Sequence, residues 1–454
     1  MSRVRTLGEW IDGVEPADVG ADRLARMRSH LLDTVAAAVA GHGSTPVMIA
    51  ERVYRAPGQA PILSPGPARE ASHAARVNAV AAHALEIDDT EGCDHTGAVV
   101  VPTLLALLPT VGRAVTGEKL LTAMTVGYEV GRRMQNALGG YDALNGSGWH
   151  STGTCGVFAA AAAGAKLLEL SAEQSASALG IAASSSAGTW AFAKDGAMTK
   201  RFHPANAAGA GVDAVCLAAE GMNGPSRIFD DTWGGYFAVY GGASARPEGL
   251  TEHLGTVWHA DHSAIKRYGS CRSAHATLDG AAEFIARSGA SAKSLRRAEI
   301  TLSPFLRQMI CPVSIDTIDA ARMSLPVALA LLLLGESLEP RSFERFADAE
   351  VQALASRVTV VEDPDAAIPR LSIEAGGESA VIERAHAWGS EGYPLPAEEV
   401  RAKALRLMTP HLTPASRTGL VRFVEGLGAA PVEGLPALDW RWTTRGERER
   451  PDRT

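Results

Sequence analysis

Titratable side chains are concentrated in one short stretch of this sequence, HALEIDDTEGCDHTGAVVVP, at residues 83–102. The segments on either side, ASHAARVNAVAAHALEI and AVVVPTLLALLPTVG, are apolar and predict core elements. A polar loop held between two buried segments is expected at the mouth of a cleft, although its acids could also serve only as helix caps. The candidate residues of this stretch are Glu86, Asp88, Asp89, Asp94 and His95.

Three further segments combine cationic side chains or histidines. GWHSTGT places His150 directly before a long predicted helix, where backbone amides can face a carboxylate; the alternative is a Ser/Thr N-cap beside a core histidine. AMTKRFHP holds Lys200, Arg201 and His203, and its alternative is a surface basic cluster. AIKRYGSCRSAH carries Lys266 where strand signals first appear, so it either lies at a domain junction, where sites tend to form, or is a charged linker.

These residue types together suit one kind of chemistry. Lysine and arginine can hold an anionic substrate, while a histidine or lysine removes a proton from the carbon next to a carboxylate. A metal site built from Asp88, Asp89 and His95 is an alternative, but the acids could equally orient the histidine, and such ligand spacing is unspecific. The sequence contains neither a nucleotide-binding glycine fingerprint nor a GxSxG elbow. We therefore expect no metal and no cofactor.

The elements that must position these residues are helical through the first half of the chain. Leu24, Met27 and Leu31 begin a helical repeat that Gly41 ends, and residues 117–138 predict another long helix. Residues 155–190 predict further helices and are rich in small residues. Within them, Ser171 and Gln174 have the spacing of a capping box. So many alanines and glycines predict a tight helical bundle.

The second half differs. Short β-branched runs, RRAEITL, RVTVVED and LSIEAGGESAVIERA, predict strands, the last two arms being joined at Gly376 and Gly377. With their accompanying helices they predict a small α+β domain that contains an antiparallel sheet. The overall fold class is therefore mainly α, with domains at residues 1–265 and 266–396. From residue 397 the sequence again predicts helices. Residues 446–454 form a polar tail that we expect to be frayed.

Length and composition narrow the functional classes. At 454 residues with 46% hydrophobic residues, the chain can bury a core in each domain. A net charge of -8 argues against a nucleic-acid surface. The longest apolar run, Val327 to Leu334, is too short to span a bilayer, and the polar N-terminus lacks a secretory segment, so we expect a cytoplasmic protein without a membrane partner.

The succession of these motifs resembles the MmgE/PrpD family, which includes 2-methylcitrate dehydratase, cis-aconitate decarboxylase and iminodisuccinate epimerase. HALEIDDT, GYEVGRR, GWHSTGTCG, AMTKRFHPANAA and the IKRY segment occur in the family's order over nearly the whole chain. The resemblance implies a helical domain completed by residues 397–445, an α+β lid at residues 266–396, a site between them and a homodimer. Matched position by position, it implies site residues Asp89, Thr90, His95, His150, Lys200 and Lys266, with Arg201, His203 and Tyr268 lining the site.

Two departures bear on the reaction. In the acidic motif, Glu86 stands where a decarboxylase-like member has aspartate, and the loop from there to His95 is one residue shorter. In the ARMSLPVALA segment, Val327 stands where decarboxylases have tyrosine. We therefore expect a cofactor-independent lyase of the dehydratase type acting on a di- or tricarboxylate. One of His150, Lys200 or Lys266 would take the proton, and His95, oriented by Asp89, would protonate the departing hydroxide. The alternatives are an epimerase or isomerase, then a decarboxylase, then a non-catalytic carboxylate-binding member.

Overall fold

The computed structural model describes residues 2–432 and 434–441. The predicted polar tail at residues 446–454 lies outside the described residues, as do residues 442–445. Within the described ranges the fold is mainly α with one small domain that contains a sheet, which confirms the predicted fold class. No helix of the described ranges has both the length and the apolar character needed to cross a membrane.

The first part of the chain forms a helical body. Its elements include the predicted helix that ends at Gly41 and the predicted capping box, in which Ser171 and Gln174 each accept the other's backbone N–H. The elements are α1 (Arg3–Gly13), α2 (Pro16–Val19), α3 (Ala21–Gly41), α4 (Thr45–Val53), β1 (Pro57–Ala60), α5 (Ala71–His83), α6 (Gly97–Leu107), β2 (Val115–Thr116), α7 (Gly117–Ala137), α8 (Gly140–Gly146), α9 (Ser151–Thr154), α10 (Gly156–Leu167), α11 (Ala172–Ala182), α12 (Thr199–Ala219) and α13 (Tyr236–Tyr240).

Small residues let the long helices of this body approach closely. Helix α10 packs between α7 and α12. A Cβ atom on Gly127 of α7 would lie 2.9 Å from the Ala159 carbonyl oxygen, and one on Gly211 of α12 would lie 2.2 Å from the Ala160 Cβ. Larger side chains would push α7 and α12 away from α10, and α12 carries Lys200, so the alanine and glycine content of the sequence has a direct role in placing this lysine.

The second hydrophobic core belongs to the α+β part of the chain. Its sheet has the strand order β4-β3-β5-β6, and the hairpin turn at Gly376 and Gly377 has φ angles of 64° and 83°, as a two-residue hairpin with left-handed turn residues requires. Its elements are α14 (His275–Ser288), β3 (Arg297–Leu302), α15 (Pro304–Ile310), α16 (Ile318–Arg322), α17 (Leu325–Leu333), α18 (Ala349–Ala355), β4 (Val358–Glu362), β5 (Arg370–Ala375) and β6 (Glu378–Glu383).

The sheet is not antiparallel throughout. Strands β3, β5 and β6 pair antiparallel as predicted, but β4 pairs parallel to β3, with Ile300 opposite Val360. The reason is the connection between β3 and β4, which contains four helices and returns the chain to the same end of the sheet.

The chain then returns to the helical body. Helices α19 (Ala397–Met408) and α20 (Pro414–Glu425) pack on α3, and β7 (Pro431–Val432) pairs antiparallel with β2. The buried residues of this returning segment belong to the core of the helical body, whereas residues 268–375 supply the second core. The site residues lie where these two cores meet.

Candidate functional site

The acidic segment is an irregular loop between α5 and α6. Glu86, Glu91 and Asp94 adopt positive φ angles of 58°, 62° and 76°, which few residues other than glycine adopt. Two backbone hydrogen bonds pair the loop with the segment just before Lys266: Thr90 N donates to Ala264 O at 2.8 Å, and Ala264 N donates to Thr90 O at 2.7 Å. The strained turn therefore lies directly beside the segment that carries Lys266, and this pairing aims Glu86 at the lysine.

Three cations surround the buried carboxylate of Glu86, and we call Glu86, Lys200, Arg201 and Lys266 the inner cage. Lys200 Nζ lies 2.5 Å and Lys266 Nζ 3.1 Å from Glu86 Oε1, while Arg201 donates to Oε2. Lys266 also donates to the Glu86 carbonyl oxygen at 3.0 Å. Burial by itself raises the pKa of Glu86, but the three cations lower it well below its usual value, so the carboxylate is ionised.

A second group links two histidines through Asp88. The Asp88 Oδ2 atom lies 3.0 Å from His83 Nδ1 and 2.9 Å from His95 Nδ1. Arg201 Nη1 lies 3.3 Å from His83 Nε2, so that nitrogen accepts and His83 Nδ1 carries the proton. Burial lowers the pKa of His83 well below its usual value, which agrees with a neutral ring. His95 likewise directs Nδ1 at Asp88, and its Nε2 faces Glu86 and Asp94, each at 3.6 Å.

The predicted partner of His95 was wrong. Asp89 points to the opposite side of the loop, where its carboxylate accepts hydrogen bonds from Tyr128 and, at 2.8 Å, from the Gly97 backbone N–H, and lies 2.8 Å from His30 Nδ1. The loop backbone thus directs the consecutive carboxylates of Asp88 and Asp89 to different partners. Asp88, not Asp89, orients His95.

Two more histidines form a chain behind Asp94. His150 Nε2 lies 3.3 Å from Asp94 Oδ2, and its Nδ1 lies 2.8 Å from His203 Nδ1. If Nε2 donates to the carboxylate, then His150 Nδ1 accepts and His203 donates. Burial lowers the pKa of His150 and, together with the neighbouring His150, lowers the pKa of His203 to about 3. Thr90 Oγ1 completes the group by donating to Asp94 Oδ1 at 3.2 Å.

A cleft of about 640 Å³ opens onto these groups between the helical body and the α+β domain. Of the predicted residues, Glu86, Thr90, Asp94, His95 and Lys200 line it. Lys266 and Arg201 lie behind Glu86, and His150 lies behind Asp94. The remaining predicted residues do not reach the cleft: Asp89 faces Tyr128, His203 contacts His150, and Tyr268 donates to Asp279 at 2.8 Å.

Several cleft residues were not predicted from the sequence. The body supplies Arg132, Tyr141 and Trp190, and the α+β domain supplies Arg272 and Tyr393. Arg132 lies in the GYEVGRR motif and Arg272 in the AIKRYGSCRSAH segment, but neither was singled out within them. Tyr141, Trp190 and Tyr393 come from separate segments that carry no local signal.

The structure also bears on the possible metal ligands. The carboxylate of Asp89 points away from Asp88 and His95, so these three residues do not form the metal site that the sequence offered as an alternative. Within residues 2–432 and 434–441, the donor atoms of two other trios each lie within 4.8 Å of one another: His83–Asp88–His95 and Asp94–His95–His150. In each trio the carboxylate lies within hydrogen-bonding distance of a histidine nitrogen, an arrangement that fixes tautomers for proton transfer.

Comparisons with known proteins identify two family domains in the chain. The sequence profile of the MmgE/PrpD N-terminal domain matches residues 5–248, and that of the MmgE/PrpD C-terminal domain matches residues 268–424. A cis-aconitate decarboxylase of Aspergillus terreus is 27% identical over 462 residues, which cover 94% of this chain and 92% of that protein.

Two shorter matches have somewhat higher identity. A cis-aconitate decarboxylase-like protein of Aspergillus oryzae is 31% identical over 288 residues, covering 60% of this chain and 59% of that protein. The human cis-aconitate decarboxylase is 30% identical over 305 residues, covering 65% of this chain and 62% of that protein. These two matches span less than two thirds of either relative.

Proposed function

The chain belongs to the MmgE/PrpD family, and from that premise and the geometry of the cleft we propose that it is a lyase acting on a small di- or tricarboxylate. The observation that carries the proposal is the inner cage beside His95. Lys200 reaches both the cleft and the Glu86 carboxylate, 2.5 Å away, while Lys266 and Arg201 add positive charge behind it. A substrate carboxylate is attracted to this end of the cleft.

Proton transfer next to that carboxylate is the proposed chemistry, and the reaction we place first is dehydration. Of the three predicted bases, Lys200 lines the cleft, whereas Lys266 and His150 lie behind other side chains. We therefore assign Lys200 as the group that takes the α-proton. It does so as a neutral amine, after its ammonium proton has left to solvent, while Lys266 and Arg201 keep the positive charge of the cage. The C–O bond then breaks, and His95, in its imidazolium form and held through Nδ1 by Asp88, gives its Nε2 proton to the departing hydroxide. The products are an alkene and water.

Decarboxylation is the second candidate because the matched relatives are cis-aconitate decarboxylases or resemble them. In that reaction a C–C bond breaks, carbon dioxide leaves, and His95 would protonate the carbon. The residues that depart from the decarboxylase pattern favour the first candidate. Glu86 replaces the shorter aspartate, and Val327 is buried in the core of the α+β domain and offers no phenol.

Product analysis separates the candidates. The purified protein is incubated in D2O with citrate, 2-methylcitrate, malate, cis-aconitate and aspartate-derived acids, and followed by proton NMR with parallel detection of carbon dioxide. A new vinylic signal that arises from a saturated acid without carbon dioxide identifies a dehydratase, release of carbon dioxide identifies a decarboxylase, and deuterium in a saturated product identifies an epimerase. No change in any acid would contradict the lyase proposal and favour the non-catalytic alternative.

The homodimer implied by the resemblance and the cytoplasmic location expected from the sequence remain part of the proposal. Light scattering of the purified chain tests the first, because a dimer has twice the mass of the 47.4 kDa chain.

A further inference from the structure

A second cavity continues the cleft beyond the acid–base groups. Its volume is about 790 Å³, and its walls come from residues 142–148 and 189–194 of the helical body and from residues 303–309 and 366–367 of the α+β domain. The two cavities share Asp142, Trp190, Leu306 and Ala367 in their linings. Because the shared residues come from both domains, the two cavities adjoin along the gap between the domains, and a ligand in the cleft lies next to the second cavity.

Trp190 is a fixed part of that wall. Its indole Nε1 donates to Asn145 Oδ1 at 2.8 Å, and the same oxygen accepts from the buried Ser151 backbone N–H at 3.2 Å. The Trp190 ring also lies 5.0 Å from the rings of His150 and Phe192. The indole thus contacts the histidine behind the acid–base site while it lines the second cavity, so the two compartments meet at a rigid aromatic surface.

The second cavity carries fewer charged side chains than the cleft. Its walls include Trp190, Phe305, Leu306 and Met309 together with several alanines. The charged residues of its lining are Asp142, which both cavities share, and Lys194, whose Nζ donates to Gln308 Oε1 at 3.5 Å across the gap between the two domains. The apolar part of these walls attracts apolar atoms.

We propose that the second cavity binds an apolar arm of the substrate, whose carboxylates bind in the cleft near Lys200. The inference rests on the proposed function and narrows it to di- or tricarboxylates that carry an alkyl or similar substituent. The volume of the cleft supports this inference. At about 640 Å³ the cleft alone already falls in the range of about 300–1,000 Å³ that small ligands occupy. An unsubstituted acid would leave the adjoining apolar volume empty.

Binding of 2-alkylsuccinates tests this inference without requiring turnover. Isothermal titration calorimetry compares 2-methyl-, 2-butyl- and 2-heptylsuccinate with the full-length protein. Each fully buried methylene is worth about fourfold in affinity, from ~0.8 kcal/mol. Because part of the chain stays in contact with solvent, we expect the heptyl compound to bind at least about tenfold more tightly than the methyl compound.

Variants then locate the apolar contact. Ala193→Trp and Ala366→Trp place an indole in the second cavity from opposite walls, since these residues belong to the body and to the α+β domain. Ala353→Trp is the matched control, because Ala353 is an exposed residue of α18. The measured quantity is the ratio of heptyl to methyl affinity within each variant, which cancels any general weakening. We expect the ratio to approach one in both cavity variants and to stay at the wild-type value in Ala353→Trp.

The results that overturn the inference are distinct from those that overturn the function. The inference is overturned if the ratio of heptyl to methyl affinity is below tenfold in the wild type, or if it keeps the wild-type value in both cavity variants. In either case, binding of methylsuccinate would still support the carboxylate site. If the wild type binds none of the succinates, the proposed carboxylate site is wrong and the inference falls with it.

Discussion

The Lys403 ammonium nitrogen lies 2.8 Å from the carbonyl oxygen of Ile87 and 2.6 Å from Oδ1 of Asp33. Lys403 belongs to α19, near the end of the chain, yet it holds the backbone between Glu86 and Asp88. Burial raises the pKa of Asp33 to about 6, against the opposing effect of Lys403, and lowers the pKa of Lys403. The returning C-terminal helix therefore positions the loop that carries the inner cage and His95.

Lys403→Met should separate positioning from stability. Loss of the ammonium leaves the buried Asp33 without its cation, which is expected to lower the free energy of unfolding by about 3–5 kcal/mol, and releases the Ile87 carbonyl. Turnover should fall at least about tenfold through misplacement of the loop. The double variant Asp33→Asn/Lys403→Met removes the uncompensated charge, so we expect it to regain thermal stability but not turnover. Recovery of full turnover in the double variant would show that Lys403 has no positioning role.

Asp88→Asn and Asp89→Asn test which acid orients His95. Asp88 accepts from His95 Nδ1, whereas Asp89 faces His30, Tyr128 and Gly97. We expect Asp88→Asn to lower kcat by about 10²–10⁴ with a changed pH profile, because the amide cannot hold two imidazole N–H groups as the carboxylate does. The decrease in kcat caused by Asp89→Asn should be at least tenfold smaller than that caused by Asp88→Asn. Steady-state kinetics across pH measures both, and the reverse order would restore the sequence-based assignment.

Glu86→Gln should destabilise the fold as well as the site. It leaves the ionised cage cations without their shared carboxylate, which costs about 3–5 kcal/mol for a broken buried ion pair. Glu169→Gln is the matched control, since Glu169 also contacts two cations, Arg113 and Lys119, but on the surface, where such pairs are worth about 0–1 kcal/mol. Thermal unfolding at pH 7 compares them. Equal shifts in Tm would contradict the description of the cage as buried and charged.

His203 should contribute to acid sensitivity. Its pKa is lowered from 6.5 to about 3 in the folded protein, so between these values the unfolded chain binds a proton that the folded chain does not. Stability is therefore intact above pH 6.5 and falls as the pH decreases, by up to about 2 kcal/mol at pH 5. His203→Asn should show a smaller decrease in Tm between pH 7.5 and pH 5 than the wild type. The control His253→Asn, at an exposed site, should show the same decrease in Tm as the wild type. If His203→Asn also shows the wild-type decrease, His203 does not contribute to acid sensitivity.

Local patterns allowed much of the fold to be predicted. Helical periodicity, the Ser171 capping box and the Gly376–Gly377 turn each depend on neighbouring residues, and the structure confirms them. The order of motifs identified the family, which the profile matches confirm. The parallel pairing of β4 depends on where the β3–β4 helices place the chain, which is a tertiary property.

The site was harder to predict in detail. The sequence indicated that Glu86, His95, Lys200 and Lys266 belong together, and the structure brings them together. Consecutive Asp88 and Asp89 cannot be distinguished without the backbone conformation of the loop, which decides the direction of each carboxylate. The contact of Lys403 with Ile87 joins residues far apart in sequence, so it has no local signature.

We propose that proton transfer next to a substrate carboxylate occurs at Lys200 and His95. The most direct test is the rate of solvent deuterium incorporation in D2O, followed by proton NMR, with whichever acid of the panel the wild type converts. Lys200→Met and His95→Asn are compared with Lys119→Met, which alters a lysine on the exposed face of the body. We predict that both site variants lower the rate at least about a hundredfold and the control does not. Incorporation within a few-fold of wild type in both site variants would contradict the proposed site.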